Sequence, residues 1–138
     1  MRRNKDEIQK DRLLEAQIKE LLSGVIDLKH DKAVIKGMLI INTYQTMDEL
    51  QYRTTIENNG IGFNSTDGTI ATSYCEQLHK RYFLTEKQMK IARKIMKKYW
   101  RQLFYVAKHS IKDERIDSFM KEWELRNKSN YYYTMNLG

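Results

Sequence analysis

Nine cations with no intervening acid lie between Lys87 and Lys112: Lys87, Lys90, Arg93, Lys94, Lys97, Lys98, Arg101, Lys108 and Lys112. Positive side chains at this density can neutralise a row of phosphates, releasing counterions and making the affinity depend strongly on salt. The 138-residue chain carries +7 in all, so the part outside this run sums to −2 and the positive excess resides in one segment. A run of this kind also suits an ordinary solvated helix face, and the spacing shows which side is solvated. At about 100° per residue, Met89, Ala92, Ile95, Met96, Tyr99, Leu103 and Val106 fall on one arc roughly 120° wide. Lys87, Lys90, Lys94, Lys97, Lys98 and Arg101 lie opposite, with Lys108 in line. Trp100 and Phe104 border the apolar arc and read best as widening it. Tyr105 points to the cationic side, where an exposed aromatic can stack on an unpaired base. The expected nucleic-acid-binding set is therefore Lys87, Lys90, Arg93, Lys94, Lys97, Lys98, Arg101, Tyr105 and Lys108.

Other chemistry is weakly represented. Cys75 and His79 stand at i and i+4 on one helical face, but two ligands are too few for zinc, and His30 and His109 are remote in sequence. No metal or cofactor is expected. Gly60-Ile61-Gly62 lacks the glycine spacing and lysine of a P-loop and reads as an interhelical turn. The adjacent carboxylates Asp48/Glu49 and Asp113/Glu114 diverge by about 100° on a helix and make poor acid–base pairs. They suit the first turns of helices instead. No Ser/His/acid arrangement stands out as a nucleophilic triad. The expectation is a protein without catalytic groups.

The elements that must position the basic face are helical. Thr85 and Gln88 form a capping-box pattern with Leu84 and Met89 at staple positions, opening a helix from about Glu86 to Lys108. Leu14, Ile18, Leu21, Leu22 and Val25 mark a first amphipathic helix over about Lys5 to Leu22. Asp31 to Tyr44 is apolar nearly all round, which suits a central buried helix; a strand pair across Gly37 is the alternative. Thr46-Met47-Asp48-Glu49 is a second capping-box pattern, opening a helix to about Glu57. Asn58 to Asn64 breaks the chain, and Ser65, Thr66 or Asp67 can cap a helix to about Tyr82. Ser110 to Asp113 caps a last helix carrying Ile116, Phe119, Met120 and Trp123. Asn130 to Gly138, with Tyr131-Tyr132-Tyr133, has no periodicity and reads as an aromatic tail. Together these predict an all-α, single compact domain of five or six helices over residues 1–128, with a tail over 129–138.

Composition agrees with an intracellular setting. The chain has no proline and a single cysteine, Cys75, which cannot form an internal disulfide. The segment MRRNKDEIQKDR lacks the apolar stretch of a signal peptide, and Met38 to Ile41 is too short an apolar run to span a bilayer. A cytoplasmic protein of a bacterial host cell, without membrane association, is expected.

Four pieces occur in order from Gln45 to Leu103: Gln45-Thr46-Met47-Asp48-Glu49; Asn59-Gly60-Ile61-Gly62-Phe63 with Asp67; Leu84-Thr85-Glu86-Lys87-Gln88; and Lys98-Tyr99-Trp100-Arg101-Gln102-Leu103. As a set they resemble a short module of bacteriophage and mobile-element proteins, found alone or beside helicase-type domains. The resemblance implies a phage setting and a relation to DNA or RNA transactions, and it brings no catalytic residues. Three partners follow as expectations: nucleic acid, DNA or RNA, held by the basic helix of a phage-type accessory protein; a nucleic-acid-bound host protein such as a Cas effector, inhibited in the manner of an anti-CRISPR protein; or a second copy of the chain, met through the apolar central segment and the aromatic tail.

Overall fold

The computed structural model describes residues 4–51 and 61–137, with side chains over 4–46 and 61–131. Six α-helices and one 3-10 turn follow in order: α1 Lys5–Leu21, α2 Leu28–Gln51, α3 Ser65–Arg81, α4 Glu86–Met96, the turn Lys97–Tyr99, α5 Trp100–Lys108 and α6 Glu114–Leu137. No strand occurs among the described residues, and the all-α single domain is as expected.

Short polar side chains set the helix starts by accepting from otherwise orphaned N–H groups. Asn4 accepts from the Glu7 N–H at 2.8 Å, Asp27 from His30 at 2.7 Å, Asn64 from Asp67 at 2.8 Å and Asp113 from Arg115 at 2.9 Å. Asn64, rather than Ser65, Thr66 or Asp67, thus caps α3. That helix ends on Tyr82 in the left-handed region, φ 57°, a conformation costly for a bulky residue. Helix α6 holds it there: Phe119 stacks on its ring at 4.7 Å, Arg126 lies over the ring at 4.5 Å, and Asn127 donates to its carbonyl at 2.7 Å.

Two expected boundaries are displaced. α2 begins at Leu28 behind the Asp27 cap and runs unbroken through Thr46 to Gln51. The Thr46 hydroxyl donates to the Asn42 carbonyl at 2.9 Å, a bond back one turn within a helix rather than an N-cap. The rest of the helix expected to Glu57, and Asn58 to Gly60, lie outside the described residues. At the other end α6 passes through residue 128 to Leu137, and Tyr131 packs on the core where an aperiodic tail was expected.

α2 is the central element, in contact with α1, α3, α4, α5 and α6. That environment explains its apolar circumference: Val34, Ile35, Met38, Leu39 and Ile41 are all buried. The segment expected to serve as an oligomer interface is therefore covered within one chain. Gly37 lets the helices approach closely, since a Cβ there would stand 2.6 Å from Leu103 Cδ1 and 3.1 Å from Met96 Cε.

The α1–α2 corner is held by a buried imidazole. His30 places Nδ1 2.7 Å from Asp27 Oδ1 and Nε2 2.7 Å from Glu20 Oε1. The bond to Glu20 raises its pKa from the ordinary 6.5; burial opposes this and Asp27 adds to it. Asp27 moves down in turn, its partial burial outweighed by its bonds to the His30 backbone and ring. The imidazolium donates to both carboxylates. Its contribution to stability is full below the unfolded imidazole value of about 6.5 and is lost as pH rises through the raised folded value. The Asp27 contribution is present above the unfolded carboxylate value and is lost as pH falls through the lowered one. Thermal melts should therefore show a loss of stability on the alkaline side of about pH 6.5 that His30→Gln abolishes. An unchanged pH profile in that variant would exclude the charged bridge.

Candidate nucleic-acid interface

α4, the 3-10 turn and α5 are contiguous, a rod about 35 Å long at 1.5 Å per residue. Its start is secured by the expected capping box: the Thr85 hydroxyl accepts from the Gln88 N–H at 3.1 Å, and the Gln88 amide oxygen accepts from the Thr85 N–H at 2.9 Å. Leu84 and Met89, at the staple positions, are both buried. Every residue assigned to the inner arc (Met89, Ala92, Ile95, Met96, Tyr99, Leu103 and Val106) is buried.

The rod tightens at Lys97–Tyr99 because Tyr99 is anchored from outside it. Its hydroxyl accepts from the Asn64 N–H at 3.0 Å and donates to Asp67 at 2.8 Å. Further along, Gln102 makes paired bonds to Gly62, donating to its carbonyl and accepting from its N–H, both at 2.9 Å. Gln45 of α2 accepts from the Phe63 N–H at 2.9 Å. The Ile61–Asn64 stretch is thus an irregular segment pinned by side chains, and the N–H groups of Gly62, Phe63 and Asn64 are already engaged.

The eight cations among the expected site residues separate into three kinds. Arg93 points inward: Nε and Nη2 each donate at 2.7 Å to the two oxygens of Asp31, whose side chain has no solvent exposure. Tyr131 donates to the same carboxylate from α6. The bond to Asp31 raises the Arg93 pKa despite its burial, while burial and then the Asp31 bond drive the Tyr131 phenol upward. Arg93 therefore leaves the expected binding set, because it is a structural bridge between α2 and α4.

Lys98 and Lys108 are exposed but engaged. Lys98 meets Asp67 at 2.7 Å, and Lys108 meets Asp11 of α1 at 2.9 Å. Asp67 itself is buried, which disfavours its charge. Lys98, the Tyr99 hydroxyl and the Asn64 amide outweigh that cost and hold its pKa below the usual carboxylate range. Lys98 is raised correspondingly, first by its bond to Asp67.

The third kind is open. Lys87, Lys90, Lys94, Lys97 and Arg101 are exposed, and none has an ion pair among the described residues. Arg101 leans on the Trp100 ring at 5.3 Å. Lys19 of α1, paired with Glu15 at 2.9 Å, covers the same indole at 4.2 Å, so half-buried Trp100 is an anchor for cations rather than a base platform, and Lys19 reaches the edge of the basic face as an engaged cation. Spacing within one helix could not reveal that neighbour. Tyr105 is 44% exposed and tilts against His109, with ring centroids 4.3 Å apart. Gln88 and Gln102, the two glutamines within the rod, are both consumed, Gln88 by Thr85 and by a pair of bonds to Gln77 at 2.8 Å, and Gln102 by Gly62. Among the described residues the rod thus offers point charges and one aromatic pair, and no free glutamine amide with which to read a base edge.

Elsewhere the chemistry expected to be weak is dispersed. Cys75 is buried, with Sγ 3.9 Å from the Met38 carbonyl, and burial pushes its thiol up to about 12. His79 is exposed, its ring edge-on to Phe119. Asp113 is spent on the α6 cap, and the side chains of Asp48 and Glu49 lie outside the described residues. Among the described residues no three His, Cys, Asp or Glu side chains gather as a metal site, and no helix is long and apolar enough to cross a membrane. No family model, curated protein or solved structure matches the chain.

Neighbouring cations of the rod should respond very differently to truncation. Arg93→Ala strands a buried carboxylate and should cost about 3–5 kcal/mol of stability, whereas Lys94→Ala should change it by less than about 0.5 kcal/mol. Chemical denaturation of the two variants measures the contrast, and equal costs would refute the division.

Proposed function

We propose that the protein is a non-enzymatic accessory protein that binds nucleic acid through the sugar–phosphate backbone, without reading sequence. The observation that carries this reading is the row of five unpaired cations, Lys87, Lys90, Lys94, Lys97 and Arg101, on one side of a rod whose other side is buried. From Lys87 to Arg101 the row extends about 21 Å, or about six base steps of axial rise on one strand. Engagement of both nearby glutamines supports backbone contact over base readout. The resemblance over Gln45–Leu103 supports a phage or mobile-element setting, in which such a protein would act inside the bacterial host.

Five neutralised phosphates imply a slope of log affinity on log salt of about −4.5 for duplex and about −3.5 for a single strand. The variant K90E/K94E/K97E/R101E should lose measurable binding in fluorescence anisotropy at moderate salt. K80E/R81E/K121E/K128E, which reverses exposed charges on α3 and α6, should retain a substantial fraction of it. Equal loss in both variants would reduce the face to a net-charge effect, and unchanged binding in the first would refute the proposal. Pull-down from a bacterial lysate, with and without nuclease, tests the reading in cells. A host protein retained after nuclease treatment would instead direct the face to a nucleic-acid-bound protein such as a Cas effector.

A further inference from the structure

The basic face does not end at the last open cation. Arg101 is followed one turn on by Tyr105, a further turn on by His109, and then by Lys112 beyond the end of α5. Lys112 is exposed and has no ion pair among the described residues. It also lines a cavity of about 360 Å³ between α2, the end of α5 and the start of α6, a volume at the small end of ligand sites.

The walls of this cavity are of two kinds. Ile40, Val106, Ile111 and Ile116 supply an apolar surface, while Lys36, Lys112 and Arg115 bring positive charge to it. The acids Asp113 and Asp117 are also present, each drawn toward a cation: Arg115 to Asp113 at 3.6 Å and Lys36 to Asp117 at 3.4 Å. Lys112 is the cation left over. Tyr44 adds a phenol whose pKa is raised by burial, by the Asp113 charge and by the nearby Tyr105, so it stays protonated and can donate. An apolar slot with a hydrogen-bond donor and a cationic rim matches a flat heterocycle joined to a phosphate.

Resting on the reading of the rod as a phosphate-binding face, we propose that this cavity receives one unpaired nucleotide of the strand held there, so that the protein prefers single strands to duplex. Tyr105 and His109 lie between Arg101 and the cavity residue Lys112 along the chain, and their tilted ring pair forms a shelf on which an adjacent base stacks. A paired base cannot enter, because its hydrogen-bonding edge and both stacking faces are occupied in the duplex. Single-strand binders combine a cationic track with aromatic stacking, and here a pocket closes one end of the track.

Two measurements test the inference on the full chain. In the first, thymidine 5′-monophosphate is titrated into protein with ¹³C-labelled isoleucine methyl groups. The methyls of Ile40, Ile111 and Ile116 should shift and those of Ile8 and Ile70 should not; absence of shifts at the cavity overturns the proposal. In the second, anisotropy compares an oligothymidine of about 15 nucleotides with a duplex of the same length, for the native chain, for K90E/K94E/K97E/R101E and for K112E/R115E. Lys112 and Arg115 are exposed, the latter side chain at 85%, so their reversal leaves the core untouched. K112E/R115E should weaken single-strand binding about tenfold more than it weakens duplex binding, consistent with the loss of one nucleotide's contacts. Equal weakening on both ligands, or on neither, overturns the cavity as a nucleotide site. If reversal of the rod charges abolishes both affinities while K112E/R115E and the monophosphate do nothing, only this inference falls. If reversal of the rod charges changes nothing, the reading beneath it falls as well.

Discussion

A carboxylate with no access to water sits at the centre of this fold, and the arrangement of the helices depends on how it is satisfied. Asp31 of α2 receives two parallel bonds from Arg93 of α4 and one from Tyr131 of α6, so three helices meet at one anion. Removing a charge pair from water is expensive, and a hydrophobic replacement of similar shape is often as stable. Its contribution here is directional. The bidentate fork fixes the rotation of α4 about its own axis: with Arg93 held against α2, Ala92, Ile95 and Met96 turn into the core while Lys90, Lys94 and Lys97 turn to solvent. Apolar contacts alone would tolerate some rolling of the helix. The ion pair therefore sets which lysines an outside anion can meet.

A second junction positions the far half of the rod. Gln45, Gly62, Phe63, Asn64, Asp67, Lys98, Tyr99 and Gln102 converge on the short irregular stretch before α3, where side-chain amides and a phenol complete the backbone bonds. Most of these residues belong to the four ordered pieces between Gln45 and Leu103. Their spacing in the chain has a physical reason: each satisfies a group contributed by another. The 3-10 tightening at Lys97–Tyr99 falls where Tyr99 is tied to this junction, so the change in helical pitch is imposed by tertiary contacts.

Periodicity and capping chemistry made much of this architecture legible. The inner arc of the rod was readable because a period near 3.6 residues and the Thr85–Gln88 box agree over its length. The continuous α2 was hidden, because Thr46 with Glu49 has the composition of a capping box, and only the neighbouring helices decide whether a threonine caps or bonds back to Asn42. The helical state of the C-terminal segment was hidden for a related reason: Tyr131 finds its partner 100 residues away in Asp31. Within the expected binding set, spacing could place Arg93 at the border of the cationic side but could not show a buried carboxylate waiting on α2. Lys19, Lys36 and Arg115 joined the surface from other helices and left no local signal.

The engaged lysines differ from the open ones in what their departure would leave behind. If a phosphate drew Lys98 away, Asp67 would keep the Tyr99 hydroxyl at 2.8 Å and the Asn64 amide at 3.1 Å. It would still have lost the cation that most favours its ionised form. If a phosphate drew Arg93 away, Asp31 would keep only a phenol in a site closed to water, a cost that contact with an exposed phosphate does not offset. Lys98 is thus a conditional contributor, available at the expense of the lowered pKa of Asp67, whereas Arg93 is fixed. The rod accordingly presents a graded surface in which open charges meet an anion first and Lys98 follows. The core pair stays in place, so on the proposed reading a flexible polyanion would be held without disturbing the packing that aligns the row.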